Sequence, residues 1–408
     1  MDVKRIRADF PILEKKYDGK KIVYLDNTAT SLIPVQVVDA CCEYFHGAKA
    51  NIHRGVHKMS EEASRVFDNA TKTTAKFINS KPEEMIFTRN TTESINTVMY
   101  SLFVDDYFKK GDEIVTTIME HHSNFVPWQF LRDKVGIELK VVEINDDFTL
   151  NMEDLENKIT DKTKMVAVAH ASNTIGTIND VKEICKIAHE KNSYCLVDGA
   201  QSAPHIKLDV KKIDADFFAF SGHKMLAPSG IGGLYGKKEI LEEMPPFLYG
   251  GGMIEDVTIE KSTWAKLPGK FEAGTPDIAG AYGMKAAVDY LERIGMADIR
   301  KHEKELTNHA LERIQEIKGI NVYTPKDSEK QVGIILFAVD GIDAHDVALS
   351  LDEAENIAVR SGFHCSHPLM SRLNHTGLAR ASFYLYNTKE EIDLFIDTLK
   401  IITDAFSK

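Results

Sequence analysis

The chain has 408 residues, 43% of them hydrophobic and 27% charged, the balance of a globular protein long enough for about two domains. A formal net charge of -12 without a basic run of any length argues against a nucleic-acid partner, and no apolar run is long enough to span a bilayer. The five cysteines (Cys41, Cys42, Cys185, Cys195, Cys365) are irregularly spaced, which argues against a disulfide framework, and with no apolar signal core near Met1 the expected location is the cytoplasm.

In chain order, a short strand is expected over 84–88, a helix over 92–103, a strand over 113–118 and a helix near 125–133. Strands follow over 138–143 and 164–169. An amphipathic helix over 181–191 leads into a buried strand over 194–197 that ends at Asp198, and a second apolar strand covers 217–220. This βαβα rhythm calls for an α/β fold with a mainly parallel sheet covered on both faces. Gly230-Ile231-Gly232-Gly233 and Gly250-Gly251-Gly252 do not open helices as a dinucleotide fingerprint requires, so a nicotinamide cofactor is rejected and both stretches read as tight turns. Beyond Tyr290 come a charged helix over 299–317, strand-like segments at 333–339 and 357–359, and a closing helix over 389–405. The expected organisation is a large domain over 20–290 and a smaller α+β domain over 291–408 that takes in residues 1–19.

Two strand ends carry chemistry. Val197-Asp198-Gly199-Ala200-Gln201 and Phe220-Ser221-Gly222-His223-Lys224 place an aspartate and a lysine at one mouth of the sheet, where ligands bind. A pyridoxal-phosphate enzyme needs that pair: the lysine joins the cofactor aldehyde, and the carboxylate holds the pyridine nitrogen protonated. Taken singly, they read better as a surface lysine and a capping aspartate; together, flanked by Gln201, Ser221 and His223, they favour the cofactor. Thr88-Arg89-Asn90-Thr91-Thr92-Glu93 joins a strand to a helix start, a natural anion site and also an ordinary N-cap. In Glu120-His121-His122-Ser123-Asn124 an imidazole suits stacking on an aromatic cofactor better than metal ligation, and a loop residue equally well. Cys365 lies in the polar loop Arg360-Ser361-Gly362-Phe363-His364-Cys365-Ser366-His367-Pro368, where neighbouring charge favours thiolate. Arg380, inside an apolar strand-like run, needs an anionic partner, either a structural carboxylate or that of a substrate.

In this order the motifs resemble those of the pyridoxal-phosphate-dependent cysteine desulfurases, in particular the sulfur-mobilisation branch that also takes in selenocysteine-lyase-like enzymes. The resemblance runs from Tyr24-Leu25-Asp26-Asn27 and Asn51-Ile52-His53-Arg54-Gly55 through the stretches above and Phe271-Glu272-Ala273-Gly274-Thr275-Pro276 to Arg380. It implies a fold-type I pyridoxal-phosphate transferase, active as a homodimer. It assigns Lys224 to the Schiff base, Asp198 to the pyridinium, His122 to the ring face and Gln201 to the phenolic oxygen. The phosphate falls to Thr91, Thr92, Ser221 and His223, with Thr275 from a second subunit. Arg380 and Asn173 take the substrate carboxylate, with His53 and Arg360 near the site. The implied reaction turns L-cysteine into L-alanine: Lys224 moves the Cα proton and Cys365 becomes a persulfide. A sulfur-acceptor or scaffold protein of iron–sulfur cluster assembly is the implied partner. One departure stands out: the family commonly shows His-His-Cys-Ala where this chain has Phe363-His364-Cys365-Ser366. The nearest alternative is a selenocysteine lyase acting on L-selenocysteine, in which the thiol is dispensable. A kynureninase-like or epimerase-like enzyme would not need Cys365, and a non-catalytic sulfur or metal carrier would not need the Asp198 and Lys224 pair.

Overall fold

Seven short, mostly apolar segments build the main sheet: β1 (Met85–Thr88), β2 (Glu113–Thr117), β3 (Glu138–Val142), β4 (Thr163–Ala169), β5 (Tyr194–Asp198), β6 (Phe217–Ser221) and β7 (Gly232–Gly236). The computed structural model describes residues 1–406, so the last two positions of the expected C-terminal domain lie outside the described residues. The strands lie in the order β1-β7-β6-β5-β4-β2-β3. Neighbours from β3 to β6 are parallel, and β7 runs antiparallel between β1 and β6. Continuous apolar runs are what a sheet covered on both faces requires. Phe218, Phe220 and Val197 enter the core on one face, while Phe217, Ala219 and Leu196 enter the core on the other. Helices α1 (Lys58–Phe77), α2 (Thr91–Val104), α3 (Val126–Val135), α4 (Val181–Glu190) and α5 (Ile278–Ile294) supply apolar side chains to these two cores.

Strand β7 corrects the reading of 230–233 as a turn. Gly230, at φ 92°, does turn the chain, but Gly232 and Gly233 are buried strand residues. A Cβ on Gly232 would stand 2.7 Å from the Phe220 carbonyl oxygen and 2.8 Å from Asn90 Cα, so only glycine lets β7 lie this close to β6 and to the start of α2. Gly232→Ala is expected to cost about 1–3 kcal/mol through this overpacking. A urea midpoint equal to that of wild type would show that the close approach is not required.

The second sheet comprises β8 (Ile320–Val322), β9 (Ile334–Val339), β10 (Arg360–Gly362) and β11 (Leu378–Ser382), antiparallel in the order β8-β9-β11-β10. Its own core draws on α6 (Met296–Ile314), α7 (Ala344–Glu355) and α8 (Lys389–Phe406). Helix α6 begins before the expected residue 299 because Gly295, at φ 95°, breaks the chain between α5 and α6. Packing does not follow the sequence boundary at residue 20: Ile6, Phe10 and Leu13 join the large core, whereas Val23 and Leu25 join the small one. The expected strand over 357–359 divides. Ile357 and Ala358 pair with Val23 and Tyr24, and Arg360 opens β10 directly opposite Arg380 of β11. The second sheet thereby delivers a pair of guanidinium groups to one place.

Candidate active site

At the C-terminal ends of β4, β5 and β6 a cavity of about 190 Å³ brings together Asp198, Gln201, Ser221, Lys224, Arg360, Cys365 and Arg380. This is where an α/β sheet opens to ligands. Asp198 ends β5, and its Oδ1 accepts the Ala200 N–H at 2.9 Å. Burial raises its carboxyl above the ordinary aspartate range, with Ala200 and the charge of Lys224 pulling the other way. Lys224 sits on the single turn after β6, and among the described residues its Nζ makes no hydrogen bond or ion pair. Burial brings its amine down to about 8 against the attraction of Asp198. A lysine so placed exchanges its proton near neutrality.

One end of the cavity is the N-terminus of α2. Asn90 caps the helix by accepting the Glu93 N–H at 3.0 Å. The Thr91 N–H donates to Ser221 Oγ at 2.9 Å, the Thr91 and Ser221 hydroxyls are 2.7 Å apart, and Thr92 Oγ1 lies 2.6 Å from Ser123 Oγ. His223 joins them, its Nδ1 3.3 Å from Thr30 Oγ1. Hydroxyls converging on the start of a 14-residue helix form an anion site.

The other end carries the two arginines. Arg380, 2% exposed, donates to the Asn173 carbonyl at 2.6 Å and to Asp26 Oδ1 at 3.1 Å. Its anionic partner is therefore the structural carboxylate of Asp26, yet Nε stays buried and unpartnered. Burial lowers the guanidinium to about 10. The side chain of Asn173, expected on a substrate carboxylate, donates its Nδ2 to the His364 carbonyl at 2.7 Å and so holds the Cys365 loop. Cys365 faces the cavity from a loop in which His364 and Cys365 have φ 51° and 57°.

Of the expected residues, His122 and His53 lie elsewhere, and Thr275, expected from a second subunit, is likewise apart from Lys224. His121, not His122, lines the cavity, because the chain turns at His122–Asn124 and directs the His122 ring to His367, 3.0 Å between Nε2 and Nδ1. Adjacent residues of a tight turn point different ways, which the motif alone did not resolve. Burial, reinforced by Lys224, lowers His121 to about 3, so its ring is neutral. His53 and Thr275 line a separate cavity of about 510 Å³ and are not brought to Lys224 within one chain.

Glu120 went unread in the sequence. Its Oε1 accepts Thr117 Oγ1 at 2.6 Å and the Ala169 N–H at 2.9 Å, and Oε2 accepts Asn124 Nδ2 at 2.7 Å. Burial takes this carboxyl up to about 8. It ties the end of β4 to the turn that carries His121. An acid directly after the apolar run of β2 was the available signal.

The residues fit pyridoxal phosphate. Gln201 gives its Nε2 to the Thr28 carbonyl at 2.9 Å and leaves Oε1 buried without a partner, as Arg380 leaves Nε. The orphaned Gln201 oxygen, an unpaired half-buried amine, a buried carboxyl and a helix-terminal hydroxyl cluster are the donors and acceptors a bound phosphorylated ring would satisfy, and Arg380 Nε is left for a second anion.

Known proteins resemble this chain over its length. The family model for aminotransferase class V matches residues 23–395. A cysteine desulfurase of Haloferax volcanii is 48% identical over 421 aligned positions, covering 100% of this chain and 98% of the relative. A probable cysteine desulfurase of Staphylococcus aureus strain COL is 50% identical over 407, covering 100% and 98%. Among solved structures, the apo cysteine desulfurase of Thermococcus onnurineus NA1 superposes with a TM-score of 0.93 at 42% identity, covering 98% of both chains. The Escherichia coli cysteine desulfurase CsdA gives a TM-score of 0.91 at 33% identity, covering 99% of both. With the family model spanning both sheets and both ends of the cavity, this chain belongs to the class V aminotransferases, a pyridoxal-phosphate-dependent family.

Proposed function

We propose that this protein is a cysteine desulfurase that converts L-cysteine to L-alanine and retains the sulfur as a persulfide on Cys365. The observation that carries this reading is the presence of Cys365 in the wall of the same cavity as Lys224 and Asp198. Aminotransfer needs no thiol there. The names of the relatives at about half identity agree with it.

Pyridoxal phosphate, when bound, supplies the electron sink that makes the substrate Cα proton removable. Thr91, Thr92, Ser221 and His223 hold its phosphate, Gln201 and Asp198 its ring edge, and His121 the ring face in place of His122. Arg380 Nε, with Arg360 beside it, takes the substrate carboxylate, while Asn173 is occupied with the Cys365 loop. Lys224 Nζ removes the Cα proton and returns protons to carbon. Cys365, as thiolate, attacks the substrate sulfur. The S–Cβ bond breaks with its electron pair left on carbon, which takes up a proton and leaves as alanine. The net change is cysteine plus one protein thiol to alanine plus one protein persulfide.

A second copy of the chain completes the site. His53 and Thr275 lie apart from Lys224 in one protomer, and Val56 and Met59, close in sequence to His53, are exposed at 98% and 52%. Exposed apolar side chains beside site residues suit an interface. The persulfide is passed to a thiol of an acceptor protein for iron–sulfur cluster assembly in the cytoplasm. No helix among the described residues is long and apolar enough to cross a membrane.

The test is alanine released from L-cysteine by the holoenzyme with a reductant present, together with a mass increase of one sulfur on the Cys365 peptide before reduction. Absence of alanine would overturn the reading, and activity on L-selenocysteine alone would put the lyase in its place.

A further inference from the structure

His122 sits outside the cavity yet touches the Cys365 loop at two points. Its backbone N–H donates to the Cys365 carbonyl at 2.9 Å. Its ring Nε2 meets the His367 backbone N–H at 3.2 Å and His367 Nδ1 at 3.0 Å. A backbone N–H can only donate, so His122 Nε2 is the acceptor and the ring proton resides on Nδ1. Burial, with His367 beside it, lowers His122 and keeps the ring neutral and able to accept.

His367 is in turn wedged between two rings. Its centroid lies 4.0 Å from that of Phe363 with the planes 2° apart, and 4.9 Å from that of His122. Cys365 falls between Phe363 and His367 in sequence, in a stretch where two consecutive non-glycine residues have positive φ. Such backbone persists only where its surroundings over-determine it. The other restraints are the Asn173 amide on the His364 carbonyl, the His364 ring on the Leu378 carbonyl at 2.9 Å, and the Ser366 hydroxyl on the Glu120 carbonyl at 3.0 Å. Further along the segment that follows Ser366, Leu369 and Met370 are buried in the large core and Arg372 meets Glu143 at 3.1 Å. At the first residue of that segment, His367, the contact is the His122 ring.

We propose that His122 is a positioning residue for the sulfur-accepting cysteine: its ring pins the start of the short helix after Cys365 and so fixes the thiol toward the cavity. The inference rests on the reading of Cys365 as the nucleophile. It also accounts for the departure at Phe363, whose ring completes the stack that presents His367 to His122.

The experiment uses the holoenzyme of wild type, His122→Ala and His122→Gln. The cofactor absorption spectrum, alanine release from L-cysteine, and iodoacetamide alkylation at Cys365 are measured, the last by peptide mass because Cys42 is also exposed. In His122→Ala the cofactor spectrum should be that of wild type, alanine release should fall about 2- to 12-fold and alkylation should quicken by a similar factor, the range set by the net worth of one hydrogen bond. His122→Gln, whose amide oxygen can accept in place of Nε2, should restore most of both. An altered cofactor spectrum with unchanged alkylation would return His122 to the cofactor and overturn the proposal, as would wild-type values throughout. If His122→Ala does not fold, His367→Ala removes the ring-to-ring bond from the opposite side and should give the same split. Alkylation and spectrum report on the clasp whether or not L-cysteine is the substrate, so a wild type that releases no alanine would fail the functional reading alone.

Discussion

Lys224→Ala is expected to release alanine from L-cysteine about 10²–10⁴-fold more slowly than wild type, the range for loss of a positioned proton-transfer group. After borohydride reduction, wild type should keep its cofactor through denaturation and Lys224→Ala should lose it, since no imine to Lys224 remains to be reduced. The argument starts from burial. An ammonium partly withdrawn from water with no hydrogen-bond partner among the described residues is disfavoured, and the amine falls to about 8. Asp198 opposes this but does not cancel it, because the cost of burial outweighs its attraction. A near-neutral amine can both join an aldehyde and carry a proton to and from carbon, which an ordinary surface lysine with a pKa of about 10.4 does poorly. Lys224→Arg should fail as completely, because a guanidinium does not give up its proton in this range. Alanine release by Lys224→Ala at the wild-type rate, with the cofactor retained through denaturation after borohydride reduction, would place the base elsewhere.

Much of this site was legible where chemistry follows strand ends. Asp198 and Lys224 terminate or follow apolar runs whose continuity already marked them as buried strands, and Thr91 and Thr92 sit where a strand meets a helix. Side-chain direction was not legible. The identity of the ring-facing histidine depends on how the chain turns after β2, and the turn at His122–Asn124 is set by the buried Glu120 carboxyl that holds Asn124. Strand β7 was missed for a related reason: glycine carries no hydrophobic signal, and its need for close backbone approach is visible only once β6 and α2 are beside it. Arg380 shows a third limit. An arginine in an apolar strand announces an anion, but its first partner, Asp26, lies 354 residues away in sequence and comes from a segment with no recognisable element of its own.

Cys365→Ala is expected to lower alanine release from L-cysteine by about 10³-fold or more while leaving the cofactor spectrum as in wild type. Removing sulfur from cysteine with alanine as product requires an acceptor for a sulfur atom without its bonding electron pair, and water does not serve. The acceptor must be a soft nucleophile within reach of the same cavity, and among the described residues Cys365 is the thiol that lines it. Its presentation is built in: a left-handed backbone at φ 57°, its carbonyl held by the His122 N–H at 2.9 Å, and the preceding carbonyl held by Asn173 at 2.7 Å. Cys365→Ser should be as inactive, because a hydroxyl keeps its proton at neutral pH. With L-selenocysteine the same variants should retain activity, since a selenol leaves carbon more readily and does not depend on a protein thiol. Loss on cysteine with retention on selenocysteine therefore assigns Cys365 to sulfur acceptance rather than to the shape of the cavity. Full cysteine activity in Cys365→Ala would remove the Cys365 persulfide from the mechanism and require another acceptor for the sulfur.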